Sequence, residues 1–174
     1  MFEAIFQTGP AESYPVAAFR LFLAAIAGAF IGLEREDPER NAGLRTNMLV
    51  SLAACLFTLT ALGMTVMITG EQDGSRPDPI RVIEAVTSGV AFIAAGSIIR
   101  SGADVRGVTT AAALWLAGAI GVSIGVGHIL LPGTAIVIAL LVLVGLRRLE
   151  HSVFETKEDK GPKPLDDKED EDAH

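Results

Sequence analysis

Between Gly32 and Thr46 the chain sets four carboxylates, Glu34, Glu36, Asp37 and Glu39, among three arginines, Arg35, Arg40 and Arg45, with long apolar runs on either side. Clustered carboxylate oxygens are the donor set of a hard cation such as Mg²⁺. Arg35 and Arg40 stand between these acids and neutralise much of their field, so the loop reads as an ion-pair network, with no bound metal or cofactor expected. A second polar segment can join it. Arg100, Asp104 and Arg106 lie in or beside a short connection, Ser101 to Gly107, and Thr109 and Thr110 follow at once. The expected cluster is therefore Glu34, Arg35, Glu36, Arg45, Thr46, Asn47, Arg100, Asp104, Arg106, Thr109 and Thr110. Bidentate arginine–carboxylate bonds would hold such a group in a partly desolvated geometry.

No catalytic set competes with this cluster. His128 lies in a short turn, Gly127 to Pro132, while His151 and His174 fall near the C-terminus, so no two histidines share a helix face for zinc. Ser88 and Ser97 have no neighbouring histidine to act as base. The chain before Glu150 holds no lysine, which removes a phosphate-binding loop of the Gly-rich, lysine-bearing type. A protein without enzymatic activity is the expectation. Trp115, deep in an apolar run, reads as packing.

The elements that must position the cluster are membrane helices. A hydrocarbon layer of ~30 Å takes ~20 residues of helix to cross. Pro15 to Leu33, Thr46 to Thr69, Ile80 to Ile99, Val108 to Gly127 and Ile129 to Leu146 are five runs of about that length. With 50% of residues apolar and a mean hydropathy of +0.45, five such helices leave no polar face for water. The reading is an all-α polytopic membrane protein, a compact bundle of five transmembrane helices over residues 1–149. Arg35, Arg40, Arg45, Arg100, Arg106, Arg147 and Arg148 fall on one side, against Arg76 and Arg81 on the other, so the positive-inside bias puts the first set in the cytoplasm. The N-terminus is then outside and the C-terminus inside. The first run is expected to stay as a helix, since residues 1–14 carry no basic residue and Arg20 interrupts the apolar core that a signal peptide needs.

Most of the net charge of −7 comes from the C-terminal segment, where ten acids and four lysines follow from Glu150 onward. Its composition cannot bury enough apolar surface to offset ordering entropy, so residues 150–174 are expected to form a disordered acidic cytoplasmic tail. The lone Cys55 sits in mid-span and reads as a small buried apolar group.

Small residues at four-residue spacing let helix backbones approach in lipid. They recur as Ala24, Gly28 and Gly32, as Ala117, Gly121 and Gly125, and as Ala91 and Ala95. Packing inside the bundle is the expected use, with a homodimer seam on the first or fourth helix as the alternative. Two ionisable residues fall inside spans: Arg20 and Glu84, each five residues past a proline and so ~7.5 Å deep at 1.5 Å per residue. Matching depth points to an ion pair between the first and third helices.

Four segments, Gly28–Glu36, Ala42–Thr46, Ser88–Arg100 and Val105–Trp115, together resemble the membrane domain of the MgtC/SapB family, over roughly Ala18 to Leu149. The resemblance implies a bacterial inner-membrane protein linked in some members to growth in low magnesium, survival inside host cells and restraint of the F-type ATP synthase. It favours regulation of another membrane complex over transport of Mg²⁺, another cation or a metabolite. Many members have glycine where this chain has Ala94, and many carry a soluble C-terminal domain in place of the short acidic tail.

Overall fold

The computed structural model describes residues 13–33, 42–69 and 78–158. The five expected spans are five helices: α1 Tyr14–Leu33, α2 Leu44–Thr69, α3 Pro79–Gly96, α4 Val108–Val126 and α5 Leu130–Glu158. By length and composition Tyr14–Leu33, Leu44–Val66 and Val108–Val126 are long enough and apolar enough to cross a membrane, and α5 adds a shorter apolar stretch, Leu130–Gly145. The fold is that of an all-α membrane protein.

Local chemistry sets the ends of these helices. The Ser13 carbonyl accepts from the Val16 and Ala17 N–H groups as α1 begins. At α3 the Asp78 carboxylate accepts from the Ile80 N–H at 2.9 Å, and Pro79 opens the helix where its missing donor costs nothing. Gly127 ends α4 with φ 104°, a left-handed cap that glycine adopts without strain, and His128 N–H returns to the Ser123 carbonyl.

Two expected boundaries move. Between α3 and α4 the structure has an antiparallel hairpin, β1 Ile99–Ser101 and β2 Asp104–Arg106, where the sequence reading placed the end of a helix and a loop. Gly102, at φ 63° in the first central position of a two-residue turn, reverses the chain, and β-branched Ile99 and Val105 suit the paired strands. At the other end α5 continues past Glu150 to Glu158, into the segment expected to be disordered. Extending a formed helix adds one bond per residue fixed, so it proceeds through residues that would not nucleate one. Residues 159–174 lie outside the described residues, as do 34–41.

The bundle is built around α2, which packs closely on both α1 and α4; α3 rests mainly on α4, and α5 touches α1 and α4 lightly. Small residues make this possible. A Cβ at Gly28 would lie 2.5 Å from the Asn47 carbonyl oxygen, and one at Gly121 would collide with the Ser51 carbonyl oxygen. The small stripes on α1 and α4 are thus consumed inside the bundle, whereas Ala91 and Ala95 on α3 are exposed. Ile31, Leu114, Ile120 and Ile124, all below 2% exposed, fill the layers between.

Gly121→Val should therefore destabilise the protein by about 1–3 kcal/mol or more, because overpacking meets backbone that cannot yield. Gly133→Ala, placed where a Cβ meets nothing within 4 Å, should be neutral or stabilising by up to ~1 kcal/mol. Thermal unfolding in detergent distinguishes the two.

Candidate functional site

One end of the bundle gathers the start of α2, the end of α3, the hairpin and the start of α4. Ala42, Val50, Ala94, Ala111 and Leu114 share a single buried cluster there, which fixes these elements against each other. Gly107 joins the hairpin to α4 at φ 88°, with the Ser97 carbonyl oxygen where its Cβ would be, and the Ser97 hydroxyl donates to the Ala94 carbonyl at 2.7 Å. The base of the hairpin is consequently anchored. Strand pleating then sorts its side chains: Ser101 pairs with Asp104 and Ile99 with Arg106 on one face, Arg100 with Val105 on the other. Asp104 and Arg106, two residues apart on the same face, form an ion pair at 2.8 Å. Arg100 Nε donates to the Gly102 carbonyl at 3.1 Å.

This end displays its charge to the surroundings. Arg45, Arg100, Asp104, Arg106 and Thr109 are exposed and Thr46 is half-buried. The Arg106–Asp104 side chains are 80% and 59% exposed, so this pair lies outside the packed core, where the sequence reading expected a partly desolvated network. A surface pair of this kind contributes ~0–1 kcal/mol. Asn47 and Thr110 separate from the rest, because both are buried. Glu34, Arg35 and Glu36 lie outside the described residues, as do Asp37 and Glu39. Among the described residues no group of His, Cys, Asp and Glu converges as metal ligands would.

Asn47 begins a buried polar stripe that the sequence reading did not assemble. Asn47, Ser51, Cys55 and Thr58 recur at helical spacing on α2 and are 0%, 0%, 0% and 3% exposed. Asn47 Nδ2 donates to the Gly43 carbonyl at 2.9 Å and the Thr58 hydroxyl to the Ala54 carbonyl at 2.8 Å. Asn47 Oδ1, Ser51 Oγ and Ser123 Oγ have no hydrogen-bond partner among the described residues. The legible signal was the four-residue spacing of polar residues on a helix whose neighbours carry matching glycines.

At the opposite end Arg20 and Glu84 do not meet. Arg20 Nη1 donates to the Gly125 carbonyl at 3.0 Å, and Nη2 sits 2.7 Å from where a Gly127 Cβ would be. A guanidinium is well matched to the C-terminal end of a helix, where carbonyls lack partners and the dipole is negative. Glu84 is exposed on α3, which packs on α4 and α2 and leaves that side chain outside the bundle. Arg20→Met should accordingly cost about 1.5–3 kcal/mol, the range for a hydrogen bond that involves a charged group. Glu84→Gln should cost less than ~0.5 kcal/mol, as a surface substitution does. Detergent unfolding of both single variants and the double variant checks this; a large coupling between them would require the ion pair.

The four sequence segments that carry the resemblance all fall within residues 21–152, the range matched by the profile of the MgtC family. Protein MgtC of Salmonella typhimurium strain LT2 is 41% identical over 109 residues, covering 62% of this chain and 42% of that protein. An Escherichia coli K12 protein, YhiD, whose name is a provisional magnesium-transporter designation, is 40% identical over 125 residues, 71% of this chain and 57% of that one. An uncharacterised Haemophilus influenzae protein is 30% identical over 129 residues, 74% and 53% of the two chains. The chain thus spans about half the length of these relatives, and the matched part is the helical bundle. No solved structure matches it significantly. With the profile running from α1 through the hairpin into α5, the chain belongs to the MgtC family.

Proposed function

We propose that this chain is a non-enzymatic, multi-pass protein of the bacterial inner membrane that regulates another membrane complex, the F-type ATP synthase being one candidate, in cells adapting to low magnesium. The observation that carries this reading is the display of Arg45, Arg100 and Arg106 on an anchored, exposed surface at one bundle end, beside a core closed by direct backbone contact. Fixed exposed arginines recognise carboxylate or phosphate groups on a partner, and they add little to the stability of their own fold. The magnesium link draws on the names of the relatives, MgtC and the provisionally designated transporter YhiD. The positive-inside bias places the arginine-bearing end and the C-terminus in the cytoplasm, with His128 outside. Labelling of single cysteines introduced at Ala103 and His128 in intact cells should modify the second alone.

The reading demands that charge reversal act on the partner and leave the bundle intact. Arg100→Glu with Arg106→Glu should slow association with the partner by tenfold or more, on the order expected for lost electrostatic steering, and abolish growth rescue in low magnesium at unchanged membrane abundance. Retained rescue would overturn it. A transport reading has one observation in its favour, the unpartnered buried oxygens of Asn47 and Ser51. It requires that the purified chain alone carry Mg²⁺ or another cation or metabolite into liposomes, and that Asn47→Leu stop the flux.

A further inference from the structure

Because α3 rests on α4 and stands away from α2, an open groove of about 680 Å³ runs between α2 and α3. Its walls are apolar, with Ala53, Phe57 and Met64 on one side and Val82, Gly89 and Ile93 on the other. At Gly89 a Cβ would meet nothing within 4 Å, so the two helices are not in contact there. The polar groups are few and confined to the end where α3 begins. The Thr60 hydroxyl donates to its own helix at Leu56, and Arg81 is the one charged residue of the lining. Arg81 is exposed; its backbone N–H donates to the Asp78 carbonyl, and its guanidinium has no hydrogen-bond or ion-pair partner among the described residues. The neighbouring Asp78 is engaged in capping α3, and Glu84, one turn on from Arg81, makes no ion pair with it among the described residues and falls on the opposite face of the helix from Val82, Gly89 and Ile93.

We propose that this groove holds one acyl chain of an anionic phospholipid, with the headgroup phosphate on Arg81. Length supports this occupant. From Arg81 to Ile93 the groove extends about 18 Å at 1.5 Å per residue. One leaflet of a bilayer offers a hydrocarbon depth of about 15 Å, half of ~30 Å. Ile93 lies three residues before the end of α3, so the groove runs along most of that helix and is long enough for one leaflet's acyl chain. Volume supports it too. At ~30 Å³ for a water-sized group, the space takes roughly 20 methylenes. The guanidinium at the mouth selects the headgroup, because it pairs bidentately with phosphate and gains from added negative charge.

Native mass spectrometry of the full chain in mild detergent, titrated with phosphatidylglycerol and with phosphatidylcholine of the same acyl composition, tests the proposal. Phosphatidylglycerol should bind about fivefold more tightly, the advantage expected of one arginine near an anionic headgroup. Arg81→Gln should bring its affinity down to that of phosphatidylcholine. Gly89→Leu fills the groove and should release both lipids, while Gly133→Leu, the same change at an open position on α5, should bind as the parent does. Should Gly89→Leu fail to fold, Ala53→Phe on the opposite wall makes the same demand. Equal retention of the two lipids by the parent, or unchanged binding in Arg81→Gln, would overturn the proposal. So would a dimer that Gly89→Leu or Ala53→Phe dissociates, since a second copy would then be the occupant.

Discussion

Everything in this bundle depends on how closely α2 approaches α1 and α4. Lipid tails are as apolar as leucine, so helices in a membrane gain nothing from hiding apolar surface and must rely on dispersion and polar contact at short range. Gly28 and Gly32 of α1 and Gly121 and Gly125 of α4 leave room only for the backbone and small side chains of α2. That proximity determines which polar groups can be buried. Asn47, Ser51 and Thr58 lie on the face that α1 and α4 close over, and they are removed from lipid because the glycines admit nothing else. A bulkier seam would have held the helices apart and turned this polar face toward lipid.

The same tight triad locates the charged end. With α2 and α4 locked in register, Ala42, Ala94 and Ala111 come together, and the hairpin that links α3 to α4 has to emerge beside the start of α2. Gly107 and Ser97 secure its base, while its strands and turn stay outside the packed core. Exposed arginines on an anchored ribbon are inefficient at stabilising their own protein, since solvent screens their pairs. They are efficient at recognition, because the entropy of ordering the backbone has been met by the fold itself.

Much of this was legible in the sequence because membrane helices are coded by length and apolarity, which single residues rarely disturb. The starts and ends of α1, α2 and α4 fell within two residues of the expected spans. What escaped was decided by interactions that composition does not encode. The hairpin hinges on Gly102 and Gly107 taking positive φ, which sequence marks only as turn-permissive glycine. The grouping of Asn47 with Arg45 came from nearness along the chain, whereas a helix turns residues two apart by ~200°, so one faces outward and the other into the core. The groove beside α3 depends on how two helices splay, a property of all the contacts together.

Arg20 and Glu84 show how a helix dipole separates two charges that depth alone would pair. Both sit near the end of the bundle where α4 terminates, and α4 presents partnerless carbonyls and the negative end of its dipole there. A guanidinium can satisfy those carbonyls with several donors, and Arg20 reaches Gly125 while crowding Gly127. A carboxylate has no donor to offer and is repelled by the same field. The residue that joins α1 to α4 at this end therefore has to be the cation, and Glu84 is left on the outer face of α3. Similar depth is a condition for pairing, but the choice of partner falls to whichever acceptor is already fixed in place. In a bundle whose α4 is more buried than α1 or α2, that acceptor is the end of α4.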